Sequence, residues 1–350
     1  MSSHTTDRLS LRVTRRDELT PHIAAFELRR DDGGPLPPFE AGAHIDVELP
    51  DGSGRVRSYS LCHAPSDRHR YLIAVQCEAE GRGGSLWLHR HVAVGDTLRV
   101  GPPRHLFALR DAPHVLLLAG GIGLTPLLSM AETLWADGRS FALHCAVRSR
   151  DRLPFAERLA TAAWADRVSV HADIPAPGPA ARPALDLRTL LERAPQDTLV
   201  CACGPGGFMA AVQQAARTLG WADERVVIER FAPPAESPVR TAAAAGGSGP
   251  DGSFELLWAP TGRTLRVAAH ESAAQALQGA GLPVDLSCEQ GICGQCCLQV
   301  IDGQPEHHDL VLSDAERARG DRFTPCCSRA TSSRLVVAPL GWRPDLAAAA

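Results

Sequence analysis

The chain has 350 residues, 44% of them hydrophobic and 22% charged, which excludes a disordered polymer and leaves room for two or three separately cored domains. A formal net charge of −4 argues against the strongly basic face of a nucleic-acid binder. No apolar run reaches membrane-spanning length, and the opening MSSHTTDRLSLRV lacks the apolar stretch of a secretory signal. A cytoplasmic chain is expected, and there its 11 cysteines point to metal or redox chemistry rather than to disulfides.

Residues 1–110 read as short alternating stretches, AHIDVEL, RVRSYSL, YLIAVQC and DTLRVG, punctuated by Gly, Pro and Asp. That pattern predicts an antiparallel β-barrel. RSYS (Arg57, Ser58, Tyr59, Ser60) ends one of its strands. It offers what a flavin ring needs: an aromatic partner in Tyr59, a hydroxyl near N5 in Ser60, and a positive charge near a phosphate in Arg57. Alone the motif is weak, since an edge strand with Tyr and Ser is more often plain surface. GRGGS, Gly81 to Ser85, then opens a predicted helix SLWLHRH. Backbone N–H groups at a helix start attract anions, glycines allow close approach, and Ser85 is placed to cap the helix and touch a phosphate oxygen. An ordinary glycine turn is the bland alternative; the two motifs together favour a flavin.

Residues 111–232 change to strand–turn–helix units. HVLLLAGGIG, FALHCAV, RVSVHAD, DTLVCACG and RVVIERF alternate with PLLSMAETLW, PFAERLATAA and FMAAVQQAARTL. An α/β domain with a doubly wound parallel sheet is predicted. Two strands end in glycines: AGGIGLTP, with Gly120, Gly121 and Gly123, and CGPGG, from Cys203 through Gly204 and Pro205. Ligands sit at the carboxyl ends of such strands, so a dinucleotide site is expected, although neither motif is the usual G-x-G-x-x-G. AVRSRD places Arg148 and Arg150 where a 2′-phosphate pocket would form; surface arginines there are also common.

Residues 233–252, PPAESPVRTAAAAGGSGPDG, carry little that could form a core and read as a linker. Residues 253–342 follow as a small α+β unit: strands FELLWA and RTLRVAA, an amphipathic helix SAAQALQGAG, then SCEQGICGQCC. Cys288, Cys293 and Cys296 stand as C-x4-C-x2-C, with Cys326 and Cys327 about thirty residues on, which is the plant-type [2Fe–2S] ferredoxin spacing. Two bridged irons need four thiolates around a flat rhomb, and Gly291 and Gly294 let one loop curl over three of its corners. Zinc sites usually bring two CxxC knuckles where this loop has one, and a redox dithiol should open a helix rather than sit mid-loop. Neighbouring Cβ atoms diverge, so one member each of Cys296/Cys297 and Cys326/Cys327 packs instead of ligating. Spacing alone leaves the choice in the second pair open.

Taken together, R-x-Y-S, G-G-S, G-G-I-G-x-T-P, C-G-P and the C-terminal cysteines resemble the phthalate dioxygenase reductase family over nearly the whole chain. SCEQGICG, PEHHD and FTPCCSRA are especially similar to its vanillate-demethylase reductases. The resemblance implies a multidomain fold: an antiparallel β-barrel flavin domain, an α/β doubly wound nucleotide domain and an α+β β-grasp ferredoxin domain. It implies FMN rather than FAD, held by the RSYS motif and the backbone of Ala74 and Val75, with the phosphate on Arg82, Gly83, Gly84 and Ser85. NADH would lie on Gly120, Gly121, Gly123, Thr125, Gly204 and Pro205, with Cys203 near the nicotinamide as the one candidate catalytic side chain. Phe231 matches an aromatic that covers the flavin, and Cys326 becomes the fourth cluster ligand.

The activity so implied runs from NADH to FMN, then singly to the [2Fe–2S] centre, then to a separate terminal oxygenase of Rieske type. A monomer without nucleic-acid or membrane partners is expected. The rival readings are a reductase for a P450 or di-iron hydroxylase, a standalone diaphorase, and an iron–sulfur sensor without flavin turnover.

Overall fold

A computed structural model describes residues 8–52, 55–174, 184–232 and 251–343. They fall into two compact units that part after Phe231. Of the expected linker, 233–250 lies outside the described residues. No helix among the described residues is long and apolar enough to cross a membrane.

The first unit begins with an antiparallel sheet of β1 (Leu9–Thr20), β2 (Ile23–Arg29), β3 (His44–Glu48), β4 (Val56–Ser60), β5 (Tyr71–Gln76) and, after helix α1 (Gly84–His91), β6 (Thr97–Val100). Its spatial order is β4-β3-β6-β1-β2-β5. A bridge between Leu61 and Ile73 joins the two edges, so the sheet curls into a barrel around Leu11, Phe26, Ile45, Val47, Tyr71 and Leu98. Closure removes the free edges that an open sheet would expose.

The same unit continues with β7 (His114–Gly120), α2 (Leu124–Ala136), β8 (Ser140–Val147), α3 (Ala156–Thr161), β9 (Val168–Ala172), α4 (Leu187–Glu192), β10 (Thr198–Cys203), α5 (Gly206–Thr218) and β11 (Val226–Glu229). All five strands are parallel in the order β11-β10-β7-β8-β9. Alternate residues of β7 serve opposite faces, as pleating requires. Val115, Leu117 and Ala119 pack with α2, while Leu116 and Leu118 pack with Met209, Val212 and Leu191. The third predicted helix is shorter than its pattern suggested, because Phe155 takes a left-handed φ of 56° and the chain extends again at Ala162. Barrel and parallel sheet share a core: Ile23, Ala25, Cys62 and Ala74 belong with Val115, Leu124 and Met130. Arg158 crosses this junction, donating to the Cys62 carbonyl at 2.5 Å and pairing with Glu132 at 3.1 Å.

The second unit is a mixed sheet, β13-β12-β18-β14-β16. Its elements are β12 (Phe254–Trp258), β13 (Arg263–Val267), α6 (Ala273–Gly279), β14 (Leu298–Asp302), β15 (Pro305–Glu306), α7 (Asp314–Arg319), β16 (Arg322–Phe323), β17 (Arg329–Ala330) and β18 (Arg334–Pro339). Strands β12 and β18 run parallel, the other pairs antiparallel, and α6 lays Ala273 and Leu277 over a core of Phe254, Trp258, Leu298, Phe323 and Val337. Ser272 and Gln275 close α6 with a capping box, which satisfies two otherwise orphaned N–H groups.

Candidate functional site

Strand β4 carries the RSYS motif. Its residues alternate sides, and Arg57 lies along the start of α1: a Cβ on Gly84 would come within 3.0 Å of the Arg57 side chain. Tyr59 packs on the barrel core, and burial holds its phenol well above the usual range. Ser60 is buried. Ser58 is committed elsewhere, donating to Asp46 at 2.7 Å. Gly83 supplies the helix start with a φ of 80°, a left-handed turn that a side chain would strain. Ser85 does not cap α1, contrary to the sequence expectation; Gly83 holds the N-cap position, and the Ser85 hydroxyl instead accepts from Glu78 N at 3.0 Å. Arg55, which sequence reading passed over, donates to the Arg82 carbonyl at 2.6 Å and to Asp51 at 2.5 Å. It stands two residues before Arg57 and so on the same side of the chain, the one signal that could have marked it. The Gly-Gly-Ser turn thus lies against two guanidiniums, a donor set suited to a phosphate.

Ala74 and Val75 lie on β5, paired with β2 in the register Ala25–Ala74 and Ala24–Val75. The Val75 carbonyl meets His89 Nε2 of α1 at 2.8 Å, a tie between β5 and the helix that follows the Gly-Gly-Ser turn, which sequence did not suggest.

At the carboxyl ends of the parallel strands the two glycine motifs meet. A Cβ on Gly123 would stand 2.2 Å from the Cys203 carbonyl oxygen, and one on Gly120 would stand 2.8 Å from Pro205 Cδ. A Cβ on Gly204 would in turn stand 2.9 Å from Gly120 Cα. Gly121, by contrast, has open space around it and a φ of 54°. Thr125 is buried and spends its hydroxyl on the Ile122 carbonyl at 3.0 Å. Beside these turns opens a cleft of about 550 Å³, reached also by Gln76, Arg148, Arg152 and Asp173. Arg152 thus lines the place where sequence put Arg150, and Asp173, at the end of β9, was not foreseen.

Cys203 is fully buried, and its thiol is pushed well up by burial and then by Glu229, its register partner on β11. Glu229 Oε2 is shut off from solvent without a hydrogen-bond partner among the described residues, and burial pushes this carboxyl up to about 8. Phe231 follows with 40% of its surface exposed.

In the second unit, loop 287–297 curls through left-handed residues at Glu289, Gly291 and Gly294. Among the described residues, no three Cys, His, Asp or Glu side chains converge on one metal-ion position. Cys288 lies against Cys293, and Cys326 lies against both Cys296 and Cys327. The Cys293 hydrogen bond brings the Cys288 thiol down to about 6 against the opposing effect of burial, helped by backbone N–H groups that include Gln290 N at 3.3 Å. A loop of closely spaced thiols with a fourth from a distant turn is a donor set suited to an iron–sulfur cluster. Cys327 is buried against Cys326, Thr324, Ser328 and Gly291; Cys297 lies half-buried near Arg322.

Comparison with known proteins agrees with this arrangement. Residues 256–331 match the 2Fe-2S iron-sulfur cluster binding domain. The chain is 45% identical to the vanillate O-demethylase oxidoreductase of Pseudomonas sp. (strain HR199 / DSM 7063), over 90% of this chain and 95% of that one. It is 40% identical to the phenoxybenzoate dioxygenase subunit beta of Ectopseudomonas oleovorans, over 90% and 92%. Among solved structures, phthalate dioxygenase reductase, a modular structure for electron transfer from pyridine nucleotides to [2Fe-2S], superposes with a TM-score of 0.69 at 34% identity, covering 95% of this chain and 98% of that one.

Proposed function

Since the chain belongs to the phthalate dioxygenase reductase family of oxidoreductases, we propose that it carries electrons from NADH through FMN and a [2Fe–2S] cluster to a terminal oxygenase on a separate chain, of Rieske type. The observation that carries this reading is the gathering of Cys288 with Cys293 and of Cys296 with Cys326 on a chain whose other unit pairs a phosphate cradle with a cleft of about 550 Å³ at the strand ends. When bound, the flavin accepts a hydride and the iron–sulfur centre takes electrons singly.

The chain's own residues then hold and orient. Arg57, Arg82 and the N–H groups of Gly83, Gly84 and Ser85 bind the flavin phosphate, with Arg55 pinning their turn. Tyr59, Ser60 and the Ala74–Val75 backbone seat the ring, and Phe231 covers it. Gly120, Gly121, Gly123, Gly204 and Pro205 let the dinucleotide lie on the strand ends, and the buried Thr125 keeps that turn in shape. Cys203 lines the nicotinamide side. Cys288, Cys293, Cys296 and Cys326 would hold the iron–sulfur cluster. The donor is NADH, the working form a monomer, and the compartment the cytoplasm, where all 11 cysteines stay unbridged.

Anaerobic addition of NADH to the purified protein tests the reading. Flavin and iron–sulfur absorbance should bleach together, and a purified Rieske oxygenase should be reduced when this chain is present in catalytic amount. Protein without stoichiometric flavin, or a cluster that stays oxidised, would overturn it. Equal rates with NADPH would overturn the choice of donor.

A further inference from the structure

The motif PEHHD, Pro305 to Asp309, has no part in the cofactor contacts above, yet it lies behind the cysteine loop. β15 pairs with β17, with Glu306 opposite Arg329, so the chain that follows runs between the two cysteine-bearing segments. Leu310 N donates to the Gly291 carbonyl at 2.8 Å, and a Cβ on Gly291 would meet Asp309 Cα at 3.1 Å. The Asp309 side chain is completely buried, at 0% exposure. Its Oδ2 accepts from the backbone N–H groups of Val311 at 3.2 Å and Leu312 at 2.8 Å, and its Oδ1 accepts from the Thr324 hydroxyl at 3.3 Å.

A carboxylate oxygen only accepts, so it fixes the direction of everything beyond it. Having given its proton to Asp309, Thr324 must accept from Ser328 Oγ at 2.6 Å, and Ser328 in turn accepts from His308 N at 3.2 Å. His308 Nδ1 meets the Cys327 carbonyl at 3.1 Å, and Arg317 donates to the Asp309 carbonyl oxygen. The chain of bonds leaves the HHD segment, crosses Thr324 and Ser328, and returns, enclosing Cys326 and Cys327.

We propose that Asp309 is a positioning residue for the iron–sulfur centre: its carboxylate clasps the Thr324–Ser328 turn to the Gly291 loop, keeping Cys326 opposite Cys296, and its buried charge holds the cluster's reduction potential down. This rests on the reading of Cys288, Cys293, Cys296 and Cys326 as ligands. The electrostatic half follows from burial, because a fixed negative charge shielded from water opposes the arrival of an electron nearby. Arg317, 3.8 Å from Oδ2, offsets part of that charge. A purely local turn at Asp309 would give stability without touching the potential.

The test uses full-length holoprotein as wild type, Asp309→Asn, Thr324→Val and, as an exposed control, Asp302→Asn. Asparagine keeps an acceptor for the two backbone N–H groups and removes the charge. Iron content, the rate of iron loss to a chelator, and the midpoint potential followed by electron paramagnetic resonance are measured. Asp309→Asn should retain iron and shift the reduction equilibrium toward the reduced cluster by about tenfold, an upward move of about 59 mV for one electron. Thr324→Val should lose iron several-fold faster, with the control unchanged. An Asp309→Asn protein that holds iron at the control's potential overturns the proposal. If that variant cannot be prepared, a Thr324→Val protein losing iron at the wild-type rate overturns it equally. Wild type without an iron signal would instead sink the ligand assignment beneath it.

Discussion

Cys203 and Glu229 are register partners across β10 and β11 at the carboxyl end of the parallel sheet, and they make this corner unusual: a buried thiol beside a carboxyl whose Oε2 has no hydrogen-bond partner among the described residues. Burial favours the neutral acid, and with its range raised to about 8 Glu229 keeps its proton in the folded chain where the unfolded chain has already lost it. Folding therefore takes up a proton between the ordinary carboxyl range and about 8. The contribution of this site is undiminished in acid and falls as pH rises through that window. Glu229→Gln removes the liability. Denaturant melts should give the variant wild-type stability near pH 4 and an advantage growing to roughly 1–4 kcal/mol by pH 9. An advantage that stays flat with pH would count against the buried acid. Nothing in RVVIERF marks this glutamate, since its burial comes from β10 and from the helices over the sheet, long-range facts that a local pattern does not carry. The iron–sulfur domain lay open to sequence reading for the opposite reason, because such a domain writes its cysteines into short spacings. Even there spacing left Cys326 and Cys327 open, and the choice between them came from the resemblance.

Three glycines in GGIG look alike as letters, and at the scale of the element they do different work. Gly123 sits where the 3₁₀ turn at Gly121–Gly123 touches the end of β10, so a methyl there would overlap the Cys203 carbonyl, which is backbone and has nowhere to go. Gly121 has free space and only its left-handed φ to protect. Gly123→Ala should thus cost at least about 3 kcal/mol and force α2 away from β10, while Gly121→Ala should cost about 1–2 kcal/mol. Chemical unfolding of the two variants checks the order, and near-equal losses would contradict the close-packing role. The strands and main helices were legible because their periods are strong: two residues in the barrel, continuous apolar runs in the parallel strands. The Ser85 cap was misjudged because Gly83, already left-handed, begins the helix two residues earlier.

At the scale of the whole molecule, each unit carries a core of its own. Phe26, Ile45 and Leu98 anchor the barrel, Val115, Leu117 and Leu128 the parallel sheet, and Trp258, Phe323 and Val337 the second unit. A unit with its own core does not need a neighbour's cofactor to fold. Within its own unit, the cysteine loop bonds to Leu310 through the Gly291 carbonyl, and the segment bearing Cys326 bonds to Ala274 N through the Pro325 carbonyl. Losing the cluster should therefore leave the flavin and nucleotide sites intact. Cys296→Ala is the informative variant, since it removes the ligand that the structure sets against Cys326. Its flavin content and its NADH-driven reduction of ferricyanide, an acceptor small enough to reach the flavin directly, should stay near wild type. Its reduction of cytochrome c, which relies on the one-electron relay, should fall by at least about tenfold. If both activities collapse together, with flavin lost, then the units depend on each other for their fold. If neither changes, electrons leave this chain from the flavin, and the cysteine loop serves some other end.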